Sequence, residues 1–95
     1  MKVRYTDTAS ADLEDILNHL IQRNPRAAAS VGQAIETTVA RIAMFPESAQ
    51  ATDELAIRMA PAGRYPYLIF YAVADGEVQI MRVLHGAQPR PWERR

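Results

Sequence analysis

A chain of 95 residues with 48% apolar content can bury one modest core, so a single domain is expected. With no cysteine and only two histidines, disulfides and thiolate zinc sites are excluded, and a reducing compartment suits the composition. No segment approaches the roughly 20 apolar residues of a membrane span, and the opening MKVRYTDTA lacks a signal-peptide run, so a soluble, cytoplasmic protein with no membrane role is expected.

The net charge of zero argues against direct nucleic-acid binding, but the charge is unevenly spread. Residues 1–55 carry five basic and eight acidic side chains, a net −3; residues 56–95 carry six basic and three acidic, a net +3. Ten of the eleven basic residues are arginine, which suits bidentate contacts with an anionic partner.

In chain order, residues 2–6 (KVRYT) are β-prone and predict a short opening strand. Ala9, Leu13, Ile16, Leu17, Leu20 and Ile21 recur at helical spacing, predicting an amphipathic helix capped by Thr6 or Thr8. Asn24-Pro25 places an N-cap before a proline at the first helical position. A second stripe follows through Ala28, Val31, Ala34, Ile35, Thr38, Ile42 and Phe45, until Pro46 stops it. With so short a joint, the two helices should form an antiparallel hairpin.

Beyond Pro46 the period changes. Residues 47–54 read as loop, 56–60 (AIRMA) as a strand, and Pro61-Ala62-Gly63 as a turn. Residues 67–74 (YLIFYAVA) and 78–84 (VQIMRVL) read as two strands joined at Asp75-Gly76, a hairpin signal. The expected fold is α+β: an N-terminal strand, then an antiparallel helical hairpin on one face of a mainly antiparallel sheet of about four strands. The domain should occupy residues 1–88, leaving 89–95 as a basic Pro/Trp/Arg tail. Both faces of the 67–74 strand are apolar, with Leu68 and Phe70 on one side and Tyr67, Ile69, Tyr71 and Val73 on the other. Two helices cover one face; the second is either a binding surface or is covered by loop 47–55 and the tail.

The stretches VRYTDTASADLEDI, NPRAA, IAMFPE, YPYLIFYAV and VLHGA, in this order and spacing from about residue 3 to residue 87, resemble the ParE branch of the ParE/RelE toxin superfamily. YPYLIFY followed by VLHGA is the most specific pair. The resemblance implies the toxin of a type II toxin–antitoxin module, silenced by a cognate antitoxin whose C-terminal segment is disordered when free and wraps the toxin. It also implies one of two targets: ParE-like members inhibit DNA gyrase, whereas RelE-like members cleave mRNA, usually on the ribosome.

Cleavage of RNA through its 2′-hydroxyl needs a base, stabilisation of the phosphate and an acid. In RelE-like enzymes, arginines, lysines and a tyrosine or histidine supply these on one sheet face. The place of one such arginine resembles Leu68 here and that of another Gln88, while Lys2 is the only lysine. An RNase would therefore have to use Arg64, Arg82 and His85, whereas a gyrase inhibitor needs no catalytic residue, cofactor or metal. A third alternative is a non-toxic protein of the same fold that acts only in an antitoxin complex.

His85 reads as a strand-end imidazole bonded to backbone, pointing away from Arg82 if the strand stays regular. His19, four residues after Asp15, reads as half of a surface ion pair. Arg58 and Arg64 read as solvated. Arg82 shares parity with Val78, Ile80 and Leu84, so it needs a carboxylate of this domain or of a partner. The candidate target- or antitoxin-binding residues are Arg82, Tyr67 and Tyr71 with Arg90, Trp92, Arg94 and Arg95 of the tail, where arginine and tryptophan suit interface hot spots.

Overall fold

The structure is a computed structural model that describes residues 1–54 and 56–88. Its elements are β1 (Lys2–Tyr5), α1 (Asp7–Arg23), α2 (Pro25–Met44), β2 (Gln50–Ala51), β3 (Arg58–Pro61), β4 (Tyr67–Ala74) and β5 (Glu77–His85). The sheet order is β1-β5-β4-β3-β2, antiparallel throughout except that β1 lies parallel to β5. The α+β expectation holds, with five strands where about four were expected. The tail expected at 89–95 lies outside the described residues.

Local chemistry builds the helical layer. The Thr6 hydroxyl accepts from the Ala9 amide at 3.1 Å and caps α1, while the Thr6 amide donates to the Ile80 carbonyl at 3.0 Å, so the cap is also the last link of β1 to β5. One residue joins the helices. The Asn24 amide closes α1 on the Leu20 carbonyl at 2.6 Å, and its side chain accepts from Ala27 at 3.1 Å to open α2. Pro25, which has no amide hydrogen to leave unsatisfied, begins α2. Pro46 disfavours helical geometry in the residue before it, so Phe45 becomes the C-cap. The helical stripe expected to include Phe45 therefore ends at Ile42, and Phe45 is exposed.

The sheet's pairing is set by the β4–β5 hairpin. Asp75 and Gly76 both adopt positive φ, 55° and 72°, the geometry of a two-residue type I′ turn whose twist matches the strands. Ile69, Tyr71, Val78, Ile80 and Val83 face the helices and meet Val31, Ile35, Val39 and Ile42 in one buried cluster. Tyr71 opposes Ile80 but Phe70 opposes Arg82, so Met81 is an extra, unpaired residue. This β-bulge reverses the parity of β5. Arg82 therefore leaves the row of Val78 and Ile80, contrary to the sequence expectation, and Val83 takes its place against the helices. Phe70 and Leu84, on the opposite face, are also buried, and Leu68 and Met59 are half-buried, so the apolar second face is not bare.

The loop after α2 is strapped to the sheet. Arg58 donates through one nitrogen, Nη1, to the carbonyls of Ala49 at 2.8 Å and Glu47 at 3.2 Å, and the Tyr71 hydroxyl donates to the Pro46 carbonyl at 2.6 Å. These bonds bring Gln50 and Ala51 alongside Met59 and Arg58 as the short edge strand β2. Arg58, expected to be solvated, is a half-buried structural tie.

Candidate functional site

The candidate residues gather around the second half of β5. Beyond Ile80 the strand has lost β1, because the chain turns into α1 at Thr6, and its outward amides need other partners. Asp12 of α1 supplies one. Its Oδ2 accepts from the Val83 amide at 3.0 Å and from Arg82 Nε at 2.8 Å, while Oδ1 accepts from Arg82 Nη2 at 3.0 Å. One carboxylate thus satisfies a strand edge and a bidentate arginine together. The side chains are only 28% and 15% exposed for Arg82 and Asp12, and the hydrogen bonds that the guanidinium donates to Asp12 hold its pKa above the ordinary value. The carboxylate that Arg82 required belongs to this domain. No feature of the sequence marks Asp12, which reads as one acid among several on the polar side of α1.

His85 closes the end of the strand. Its Nδ1 accepts from the Ala87 amide at 3.1 Å, its own amide donates to the Gln88 side-chain oxygen at 2.8 Å, and the Gln88 amide returns to the His85 carbonyl at 2.9 Å. The reading of a strand-end imidazole bonded to backbone is met. Nδ1 thus spends its lone pair on the backbone, and Nε2 is the ring nitrogen left without a partner among the described residues. Gln88, which sequence reasoning singled out only for not being arginine, is the clamp of this turn. Tyr67 lies edge-on to the imidazole, ring centroids 5.6 Å apart at 86°.

Two of the three groups assigned to an RNase, Arg82 and His85, do not share a face. Arg82 opposes Phe70 and His85 opposes Tyr67 across β4, so the two face opposite sides of the sheet. Arg64 sits in the turn before β4 with its guanidinium 5.5 Å from the centroid of the Tyr65 ring. Arg64 and then the Ser30 hydroxyl lower the Tyr65 pKa by hydrogen bonding. Tyr71, expected on a binding surface, is instead fully buried on the helix-facing side, because the helices cover its face and not that of Phe70. Burial raises its pKa, with the Arg58 charge opposing. Tyr67 is half-buried against the same core. His19 is exposed, and among the described residues it forms no ion pair with Asp15. Arg90, Trp92, Arg94 and Arg95 lie outside the described residues.

Among the described residues, apolar surface opens to solvent in two places that sequence reasoning did not single out. A groove of about 830 Å³ runs between the helices, lined by Tyr5, Leu13, Leu17, Ile21 and Gly32. A second depression of about 560 Å³ lies beneath Met44, Phe45 and Val73, at the end of α2. Among the described residues no cluster of His, Asp or Glu could hold a metal ion, and no helix is long and apolar enough to cross a membrane.

The domain is thus a two-helix layer on a five-stranded sheet, with Arg82 held by Asp12 and His85 bonded within its own turn. The chain belongs to the family described as the ParE toxin of the type II toxin–antitoxin system parDE, whose model matches residues 3–90. It is similar to two toxins of Caulobacter vibrioides. Toxin RelE2 is 32% identical over 87 residues, covering 92% of this chain and 97% of that one. Toxin RelE1 is 29% identical over 86 residues, covering 86% and 89%. The fold is shared with a chain of the chromosomal ParDE TA system from P. aeruginosa, with a TM-score of 0.78, 24% identity, and 90% and 95% of the two chains covered.

Proposed function

We propose that this toxin acts in the cytoplasm by binding rather than by cleavage, that its target is DNA gyrase, and that a cognate antitoxin neutralises it by wrapping its surface. The observation that carries this reading is the state of the candidate catalytic groups. Arg82 is held by Asp12, and His85 spends its Nδ1 lone pair on the Ala87 amide. A general base needs a free lone pair within reach of the hydroxyl it activates, and a phosphate clamp needs a guanidinium free to turn. Leu68 and Gln88 stand where the resemblance to RelE-like enzymes implies arginines. An inhibitor by binding needs none of these.

The binding surface in this reading comprises the apolar groove between the helices, Tyr67, and the tail with Arg90, Trp92, Arg94 and Arg95. Arg82 contributes only if a partner's carboxylate competes with Asp12.

The test is induced expression followed by two assays, supercoiling by purified gyrase and primer extension on cellular mRNA. Inhibited gyrase with intact mRNA is the expected result. Ribosome-dependent cuts in mRNA would overturn it in favour of an endoribonuclease, and the absence of any growth defect would point to a protein that acts only within an antitoxin complex. Truncation after Pro89 should weaken gyrase inhibition or antitoxin affinity; unchanged values for both would remove the tail from the surface.

A further inference from the structure

The outer flank of α2 carries a polar trough that none of the features above uses. Ser30, Gln33, Thr37 and Arg41 recur at three- and four-residue spacing, so they form one stripe along the helix. Facing them across about 360 Å³ are Gly63 and Tyr65 of the β3–β4 turn. At Arg41 the trough continues into a depression of about 250 Å³ bounded by Ser48, Gln50 and Pro61. Arg41 lines both.

Three observations set the chemistry of an occupant. Among the described residues, no carboxylate lines either part of the trough. Among the described residues, the side chains of Gln33, Thr37 and Arg41 have no hydrogen-bond or ion-pair partner, while Arg64 stands at the upper end on Tyr65. Along the lower part, among the described residues, β2 covers only Arg58 and Met59 of β3. A row of unspent donors about one arginine matches a carboxylate flanked by peptide carbonyls. A nucleic-acid backbone is a poorer match, because among the described residues the trough is lined by one arginine and lacks the long basic stripe that phosphates require.

We infer that the trough between α2 and β3 binds an extended acidic peptide segment, with Arg41 holding a carboxylate at its centre and Gln33 and Thr37 bonding to the peptide beside it. That the segment belongs to the antitoxin rests on the function proposed above; its acidic character rests on the trough alone.

The test titrates the full chain with an acetylated, amidated peptide of alternating glutamate and serine, followed by amide chemical-shift mapping. Shifts should centre on Gln33, Thr37, Arg41 and Tyr65. Arg41→Gln should weaken binding roughly tenfold, the loss expected for a charged hydrogen-bonded contact. Arg41→Lys should retain part of the affinity, and Arg26→Gln, which alters an exposed α2 arginine outside the trough, should retain all of it. The inference is overturned if the glutamine version of the peptide binds equally well, if Arg41→Gln has no effect, or if a short single-stranded RNA competes with the same dependence on Arg41.

The identity of the peptide's owner is tested separately, by co-purifying the chain with the product of the adjacent reading frame. A stable pair whose affinity is indifferent to Arg41→Gln would overturn the antitoxin as the trough's occupant and leave the antitoxin reading itself intact. No pair, with Arg41-dependent peptide binding, would support the trough and sink that reading.

Discussion

Arg82 and Arg41 are the same side chain in two settings that differ by one carboxylate. At the edge of β5, Asp12 takes both the Arg82 guanidinium and the Val83 amide, and three hydrogen bonds convert an ionic group into part of the frame. On the outer flank of α2, Arg41 lines a trough with amides and hydroxyls and, among the described residues, no acid. The first region holds α1 onto the sheet where β1 ends; the second has its donors unspent. An arginine's presence therefore says little about its role until its counter-ion is located.

The comparison breaks if removing Asp12 is harmless. Asp12→Ala strands a guanidinium and a backbone amide that are both partly buried, and should destabilise the domain by about 2–4 kcal/mol. In a domain of this size that lowers the melting midpoint by about 10 °C or more. Asp12→Asn keeps an acceptor for Val83 and should lose less, and thermal melts of the pair measure the difference.

Next in size is the joint between the helices. Asn24→Ala removes the side-chain cap of α2 and should cost about 1 kcal/mol by chemical denaturation, with no change at the β5 edge. Gln88→Ala opens the clamp over His85 in an exposed turn and should cost about 0.5–1 kcal/mol. Faster hydrogen exchange confined to the His85 amide would confirm that the loss is local. Arg41→Ala should change stability by no more than about 0.5 kcal/mol, the usual range for a surface site free of such ties. If it costs as much as Asp12→Ala, Arg41 is structural and the distinction between the two regions fails.

The tyrosines sharpen the contrast without any effect at neutral pH. In an ultraviolet titration Tyr65 should ionise before an ordinary phenol, because Arg64 and Ser30 favour its phenolate; Tyr5 and Tyr71 should ionise later, because burial disfavours theirs. The signs for stability are opposite. Raised values at Tyr5 and Tyr71 give a contribution that is complete below the ordinary phenol pKa near 10.0 and is lost as pH rises through the folded values. The lowered value at Tyr65 gives one that is complete above 10.0 and is lost as pH falls through its folded value. Tyr65→Phe should remove the early phase alone.

Both helices, their one-residue joint and the β4–β5 hairpin could be read in advance because each rests on neighbours in sequence. Asn24-Pro25 caps and starts a helix, Pro46 ends one, and Asp75-Gly76 turns a hairpin wherever apolar strands flank it. What could not be read depends on a distant partner. A strand of two residues has no periodicity of its own, so β2 exists only because Arg58 and Tyr71 hold the loop before it. The bulge at Met81 leaves no mark in VQIMRVL, yet it decides whether Val83 or Leu84 meets the helices. The site followed the same rule. His85 was legible as a strand-end ring because its partner is two residues away, whereas the Arg82 counter-ion is seventy residues away on α1.

The sequence by itself determined the α+β class, the helical hairpin, the strand pairing at its one tight turn, and the resemblance to ParE toxins. These follow from local propensity, capping and the order of apolar stretches, all written along the chain. Only the tertiary structure decided which face of β4 is core, that Arg82 belongs to Asp12, that Tyr71 is enclosed, and that Arg41 stands in a trough that no described acid lines. Each is a matter of which charge or ring meets which across the fold, and electrostatic and packing energies depend on that distance rather than on separation along the chain.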